Sequence, residues 1–156
     1  MAKTNLLEPN VLVADIIYKN WELRSPLSVK KIDFKTDMAM VTKPMSVVFE
    51  PAGESSTSIS GSATTIGYDR RYNIDVVVKV IAELTSKNPI MKAKDRRWSI
   101  MQEVERIIKE YGNSITKHNK DWTARIQLGF ESFPDADNVR EGVYAKTRRI
   151  ECVLSR

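Results

Sequence analysis

Three features of the sequence predict an α+β fold with a mixed, mostly antiparallel sheet flanked by two main helices. Tyr72–Ala82 reads YNIDVVVKVIA, a long β-branched run of the kind that suits a pleated, packed surface. Trp98–Tyr111, WSIMQEVERIIKEY, repeats its apolar residues at helical spacing. Trp122–Phe133 (WTARIQLGFESF) and Thr147–Leu154 (TRRIECVL) then return to strand. Strands and helices mixed in this way, with hairpin-length links at the end, point to α+β. The chain has 156 residues, a comfortable length for one domain with a real core. No repeat or boundary divides 1–156.

Taken in order, Pro9 opens a first helix, because a missing N–H costs nothing in the first turn. Leu12 with Ile16 and Val13 with Ile17 pair at helical spacing, continued by Trp21. The predicted helix covers Pro9–Trp21 and ends before Ser25-Pro26, since proline disfavours helix in the preceding residue. Val29–Phe34 is a possible short strand. Met45–Phe49 (MSVVF) is a clearer one, with Pro44 at its start.

Residues 51–67, PAGESSTSISGSATTIG, hold Ser, Thr and Gly with Glu54 as the sole charge. They read as a flexible loop or as a β-hairpin arm with legs at Thr57–Ser60 and Ala63–Ile66. A stretch this long inside a compact domain is usually functional or disordered. In Tyr72–Ala82, Ile74, Val76, Val78 and Val80 share one face by alternation, while Val77 and Ile81 add apolar groups to the other. Such a strand belongs at the centre of its sheet, with Asp75 and Lys79 making the cover of the second face partial.

The second main helix is predicted over Asp95–Tyr111, capped by Asp95 or Ser99. Its buried stripe is Trp98, Met101, Val104, Ile108 and Tyr111, and its outer face is Glu103, Glu105, Arg106, Lys109 and Glu110. Gly112-Asn113 stops it, glycine readily taking the left-handed conformation. Lys117–Asp121 makes a polar turn into a strand in which Trp122, Ala124, Ile126, Leu128 and Phe130 alternate. Pro134–Asn138 is turn-forming, and Ile150, Cys152 and Leu154 alternate in the last strand.

The composition, 42% hydrophobic with three Trp, five Tyr and four Phe, belongs to a folded globule. No apolar stretch approaches the roughly 20 residues that span a bilayer, so a membrane is not an expected partner. The first 17 residues are broken by Glu8, Pro9, Asn10 and Asp15, which is not the core of a signal peptide. A single cysteine, Cys152, allows no intramolecular disulfide and fits a reducing compartment. The net charge of +5 is concentrated in Lys87, Lys92, Lys94, Arg96 and Arg97, opposed there only by Asp95. It permits contact with nucleic acid or an acidic protein surface without requiring either.

The sequence carries no catalytic or metal-binding signature. His118, the sole histidine, lies in a charged turn with no second ligand or carboxylate partner nearby. Asp135, Asp137 and Glu141 could in principle hold a hard cation, but they lack the glycine and the ordered oxygen series of an EF-hand and read better as turn residues. Cys152 reads as a buried strand thiol. The six glycines form neither a phosphate loop nor a dinucleotide fingerprint. Neither enzyme activity nor a cofactor is expected. Trp98 beside Arg96-Arg97, and Tyr72 beside Arg70-Arg71, are aromatic-basic neighbours of the kind that hold single strands. The competing view, that both aromatics begin buried apolar stripes, is preferred.

The series of elements carries a resemblance. A leading helix, a variable loop, a strand ending in VVVKVIA, a helix of the type IMQEVERII, a strand ending in LGFESFPD and a final RRIECVL strand follow one another. Over Pro9–Leu154 this order resembles the tail-terminator and neck (head-tail joining) proteins of tailed bacteriophages and related viruses. The resemblance implies a virion structural protein, assembled in the host cytoplasm into a homo-oligomeric ring, commonly a hexamer. Such a ring sits at the end of the tail tube, stops its polymerisation and joins it to the neck. Its implied partners are other copies of itself, the tail tube protein, the neck or connector protein, and DNA crossing the channel. The expected contact residues are Arg70, Arg71, Lys92, Lys94, Arg96 and Arg97, with Ser55, Ser58, Ser60 and Thr65 on the arm. The alternative from another class is a small basic nucleic-acid-binding accessory protein.

Overall fold

The sheet is built around the β-branched run. In a computed structural model, which describes residues 8–60, 67–112, 116–117 and 123–155, that run lies in the strand Gly67–Ile81. In chain order the elements are α1 (Pro9–Lys19), β1 (Asp33–Lys35), β2 (Met45–Ser60), β3 (Gly67–Ile81), α2 (Pro89–Tyr111), β4 (Thr116–Lys117), β5 (Thr123–Ser132), β6 (Ala136–Asn138) and β7 (Val143–Ser155). The sheet order is β1-β2-β3-β7-β5-β4, and β6 pairs with the start of β7. Only β1 with β2 is parallel; the remaining described pairs are antiparallel. The fold is α+β, as expected, and β3 is central.

Alternation decides what each face of the sheet does. Ile74, Val76, Val78 and Val80 of β3 are buried and share one core cluster with Val47 and Phe49 of β2, Ile126 of β5, and Ile150 and Cys152 of β7. Leu12, Val13 and Ile17 of α1 and Ile100, Met101, Val104, Ile107 and Ile108 of α2 complete the cluster. Both helices therefore cover the same face. Each such fully buried aliphatic side chain contributes about 1.5–3 kcal/mol relative to exposure. The opposite face carries a lattice of charges instead. Arg149 donates from Nε to Asp75 at 2.6 Å and from Nη1 to Glu131 at 2.8 Å, and Arg71 pairs with Glu151 at 3.0 Å. Ile81 stays 42% exposed there, in keeping with partial cover.

The structure corrects several expectations. Helix α2 begins at Pro89, six residues before Asp95, with Asn88 as its N-cap at φ 51°. Before Ile100 it buries only Ala93 and Arg97, so no apolar stripe marks its start. The buried face is rotated from the expected one: Ile100 and Ile107 are in, whereas Trp98 is 56% exposed and Tyr111 is also exposed. Glu103, assigned to the outer face, is buried. Gly112 closes the helix in a right-handed conformation. Its need for glycine is proximity: a Cβ there would collide with the carbonyl oxygens of Ile126 and Ile108.

Elsewhere, Val29–Phe34 divides into a 3₁₀ turn, Val29–Lys31, and the start of β1. Ala136–Asn138, expected as turn, forms β6 because the free edge at the start of β7 offers it a partner. Phe130 does not share the core face with Ala124 and Ile126. The β5–β7 register shifts between Leu128 and Ser132, and this bulge turns Phe130 fully into solvent. The first leg of the arm is real, Thr57 to Ser60 pairing with Arg70 to Gly67. The second leg proposed at 63–66 lies outside the described residues, as do His118, Trp122 and most of the 117–121 turn.

Candidate interaction surface

The expected contact residues do not form one patch. Arg70 and Arg71 sit where β3 enters the arm, opposite Leu154 and Val153. Lys92, Lys94, Arg96 and Arg97 occupy the first turns of α2, where Ala145, at the opposite end of the β3–β7 pairing, accepts from Arg97. Ten residues of strand, about 33 Å at 3.3 Å each, separate Arg70 from Val80. Ser55, Ser58 and Ser60 fall within β2, and Thr65 lies outside the described residues.

Most of this basic charge is already engaged. Arg97 is buried and lies 5.9 Å from the centre of the Tyr144 ring. It donates from Nη2 to Asp135 at 3.2 Å, and from Nη1 to Asp137 and to the Ala145 carbonyl. The Asp137 carboxyl is held below its usual value, chiefly by that Arg97 hydrogen bond. Lys94 approaches Asp137 at 3.7 Å, and Lys146 approaches Asp135 at 3.6 Å. Arg96 pairs with Glu83 at 3.3 Å. Arg71 pairs with Glu151, and Arg70 is not a free charge either. Arg97 is thus a clamp that fixes β6 to the helix layer, and Asp135 and Asp137 serve it rather than a metal. Among the described residues no three His, Cys, Asp or Glu side chains converge as metal ligands.

No family model matches the chain, and no curated protein matches it. The arrangement must be interpreted from its own geometry.

Cys152 is buried in β7 as expected, and desolvation pushes its thiol up to about 12, which removes it as a nucleophile. Glu103 holds the segment after α1 against α2: Oε2 accepts the Glu22 N–H at 2.7 Å and Oε1 accepts Arg106 Nε at 2.5 Å. Trp98 stands exposed beside Lys146, whose Nζ lies 5.2 Å from the ring centre. Two surface features had no sequence signal that periodicity could detect. One is the outward Phe130. The other is the outer edge of β2, which β1 covers only over Ser46–Val48.

Proposed function

We propose that this chain is a virion structural protein that forms a ring at the end of a tail tube, stops its polymerisation and joins it to the neck. The observation that carries this is the β2–β3 hairpin. Its strands are 16 and 15 residues long, where strands are usually about 5–6. Sixteen residues of strand span roughly 50 Å, whereas a compact domain of this size has a radius of gyration of about 15 Å. β7 accompanies β3 as far as Asp69, so the tip of the hairpin, where Ile59 and Ser60 pair with Tyr68 and Gly67, runs past the neighbouring strand, and the sequence between its legs is rich in Ser, Thr and Gly. A two-stranded tip has little core of its own and gains most by lying on a neighbour. That is what a ring subunit seated on a tube requires.

The test is the solution mass by light scattering, with negative-stain imaging beside purified tail tubes. A closed ring, or a monomer that caps tube ends, is the expected result. A protein that ignores tube ends overturns the reading.

The nucleic-acid-binding alternative has one observation in its favour, the exposed Trp98 indole beside Lys146. It predicts affinity for single-stranded DNA that falls steeply with salt and drops again in Trp98→Ala. The pairing of Lys94, Arg96 and Arg97 with carboxylates counts against it.

A further inference from the structure

Phe130 is a fully exposed aromatic, and its presentation is built rather than incidental. The bulge that turns it outward is held from both sides by Arg149. The guanidinium pairs with Glu131 at 2.8 Å and lies 5.3 Å from the centre of the Phe133 ring. Gly129 sits so close beneath that a Cβ there would stand 2.8 Å from Arg149 Cγ. These contacts fix the backbone that carries Phe130, so docking has only the rotamers of one exposed ring to order, a small cost for a large apolar anchor.

At the other side of the sheet is a matching depression. It has a volume of about 270 Å³ and is walled by Pro9, Pro51, Gly53, Tyr72 and Ile74. A cavity of about 150 Å³ lined by aliphatic side chains is enough to bind benzene. Two prolines and a second bulge, at Pro51–Glu54 with Gly53 at φ 100°, give the depression its shape. β2 and β5 are separated by β3 and β7, about 14 Å in the plane of the sheet at 4.8 Å per strand. Knob and hole therefore cannot meet within one chain.

The strands bearing them are both open. Past Val48 the outer edge of β2 has no strand partner among the described residues, and past Ala124 neither does that of β5. The flanking charges are opposite in sign. Glu8 and Glu54 rim the depression, and Arg125 stands exposed on β5. Glu131, the acidic neighbour of Phe130, pairs with Arg149, which it shares with Asp75.

We infer that copies of this chain associate head to tail, Phe130 of one copy seating in the Pro9–Pro51–Tyr72 depression of the next. The contact is heterologous, so repeated copies close into a ring or extend as a filament. It rests on the ring reading above and specifies the subunit joint.

The experiment is light scattering of the full chain, of Phe130→Ser and of Pro51→Glu, and of the two variants mixed. The wild type should form a higher oligomer and each variant alone should be monomeric. The mixture should yield a one-to-one pair of twice the 17.8 kDa chain mass and nothing larger, because only one knob and one hole remain intact. That complementation also shows that both variants are folded. A wild-type oligomer that neither substitution disturbs overturns this joint while leaving the ring reading in place. A wild type that stays monomeric at every concentration reached overturns the joint too, and tube-end imaging then decides the ring reading separately.

Discussion

Glu103 does more for the helix layer than its place in a run of charged residues suggests. Its two oxygens satisfy the Glu22 N–H and the Arg106 guanidinium, so Glu103→Gln must set an amide N–H against one of these donors. The expected cost is about 1–3 kcal/mol at neutral pH, the usual penalty for a buried polar group left unpaired, measurable by urea unfolding. Burial opposes ionisation of Glu103, yet the hydrogen bonds from Arg106, Glu22 and Leu23 outweigh it and hold the carboxyl below 4.5. A carboxylate with a lowered folded value adds stability above its unfolded value and loses it as pH falls through the folded one. The gap between wild type and Glu103→Gln should therefore be full above about pH 5 and narrow below about pH 4.3. A constant gap from neutral to strongly acid pH would refute the assignment. Tyr144 is the converse case. Its hydroxyl is buried with no hydrogen-bond partner among the described residues, so Tyr144→Phe should be neutral or stabilising by up to about 1 kcal/mol. A clear loss of stability would contradict this. Neither role could be read from the residues alone, since burial of a carboxylate or an orphaned hydroxyl is set by what packs opposite.

Among the elements, those with a strong period were legible and those made by a partner were not. β3 announced its central place because it is apolar on both faces. The body of α2 announced itself too, but before Ile100 it buries only an alanine and an arginine, and periodicity is blind to such a face. β6 is made of turn-forming residues and exists because β7 and Arg97 hold it. The misplacement of Phe130 has the same origin. Alternation assumes an unbroken register, and a bulge is a property of two strands. The end of α2 was located by its glycine for the wrong reason. Gly112 makes room for β5, whose Ile126 N–H donates to the Gly112 carbonyl at 2.8 Å. Gly112→Ala should therefore cost about 1–3 kcal/mol, as overpacking does, in thermal or urea unfolding. A simple helix-propensity view predicts stabilisation instead, so the sign of the change separates the two explanations.

For the molecule as a whole, the core lies between one sheet face and two helices. Removing residues 55–65 should abolish capping of tube ends, scored by negative-stain imaging beside purified tubes. Retention of capping would show that the arm is dispensable. The basic residues singled out from the sequence were a poorer guide at this scale. Charge runs say where cations are, and the fold had already committed most of these to carboxylates. The order of strands carries a further consequence, for biosynthesis. β7 follows every other strand in the chain yet lies between β3 and β5, and its pairs with β3 join residues as distant as Asp69 and Ser155. Until the ribosome has released β7, the nascent polypeptide holds two fragments of sheet that no strand joins and only α2 spans, and closing such long loops is slow. A nascent chain stalled at Gly142 should accordingly be digested by protease as readily as an unfolded one, and acquire resistance only once β7 has left the exit tunnel.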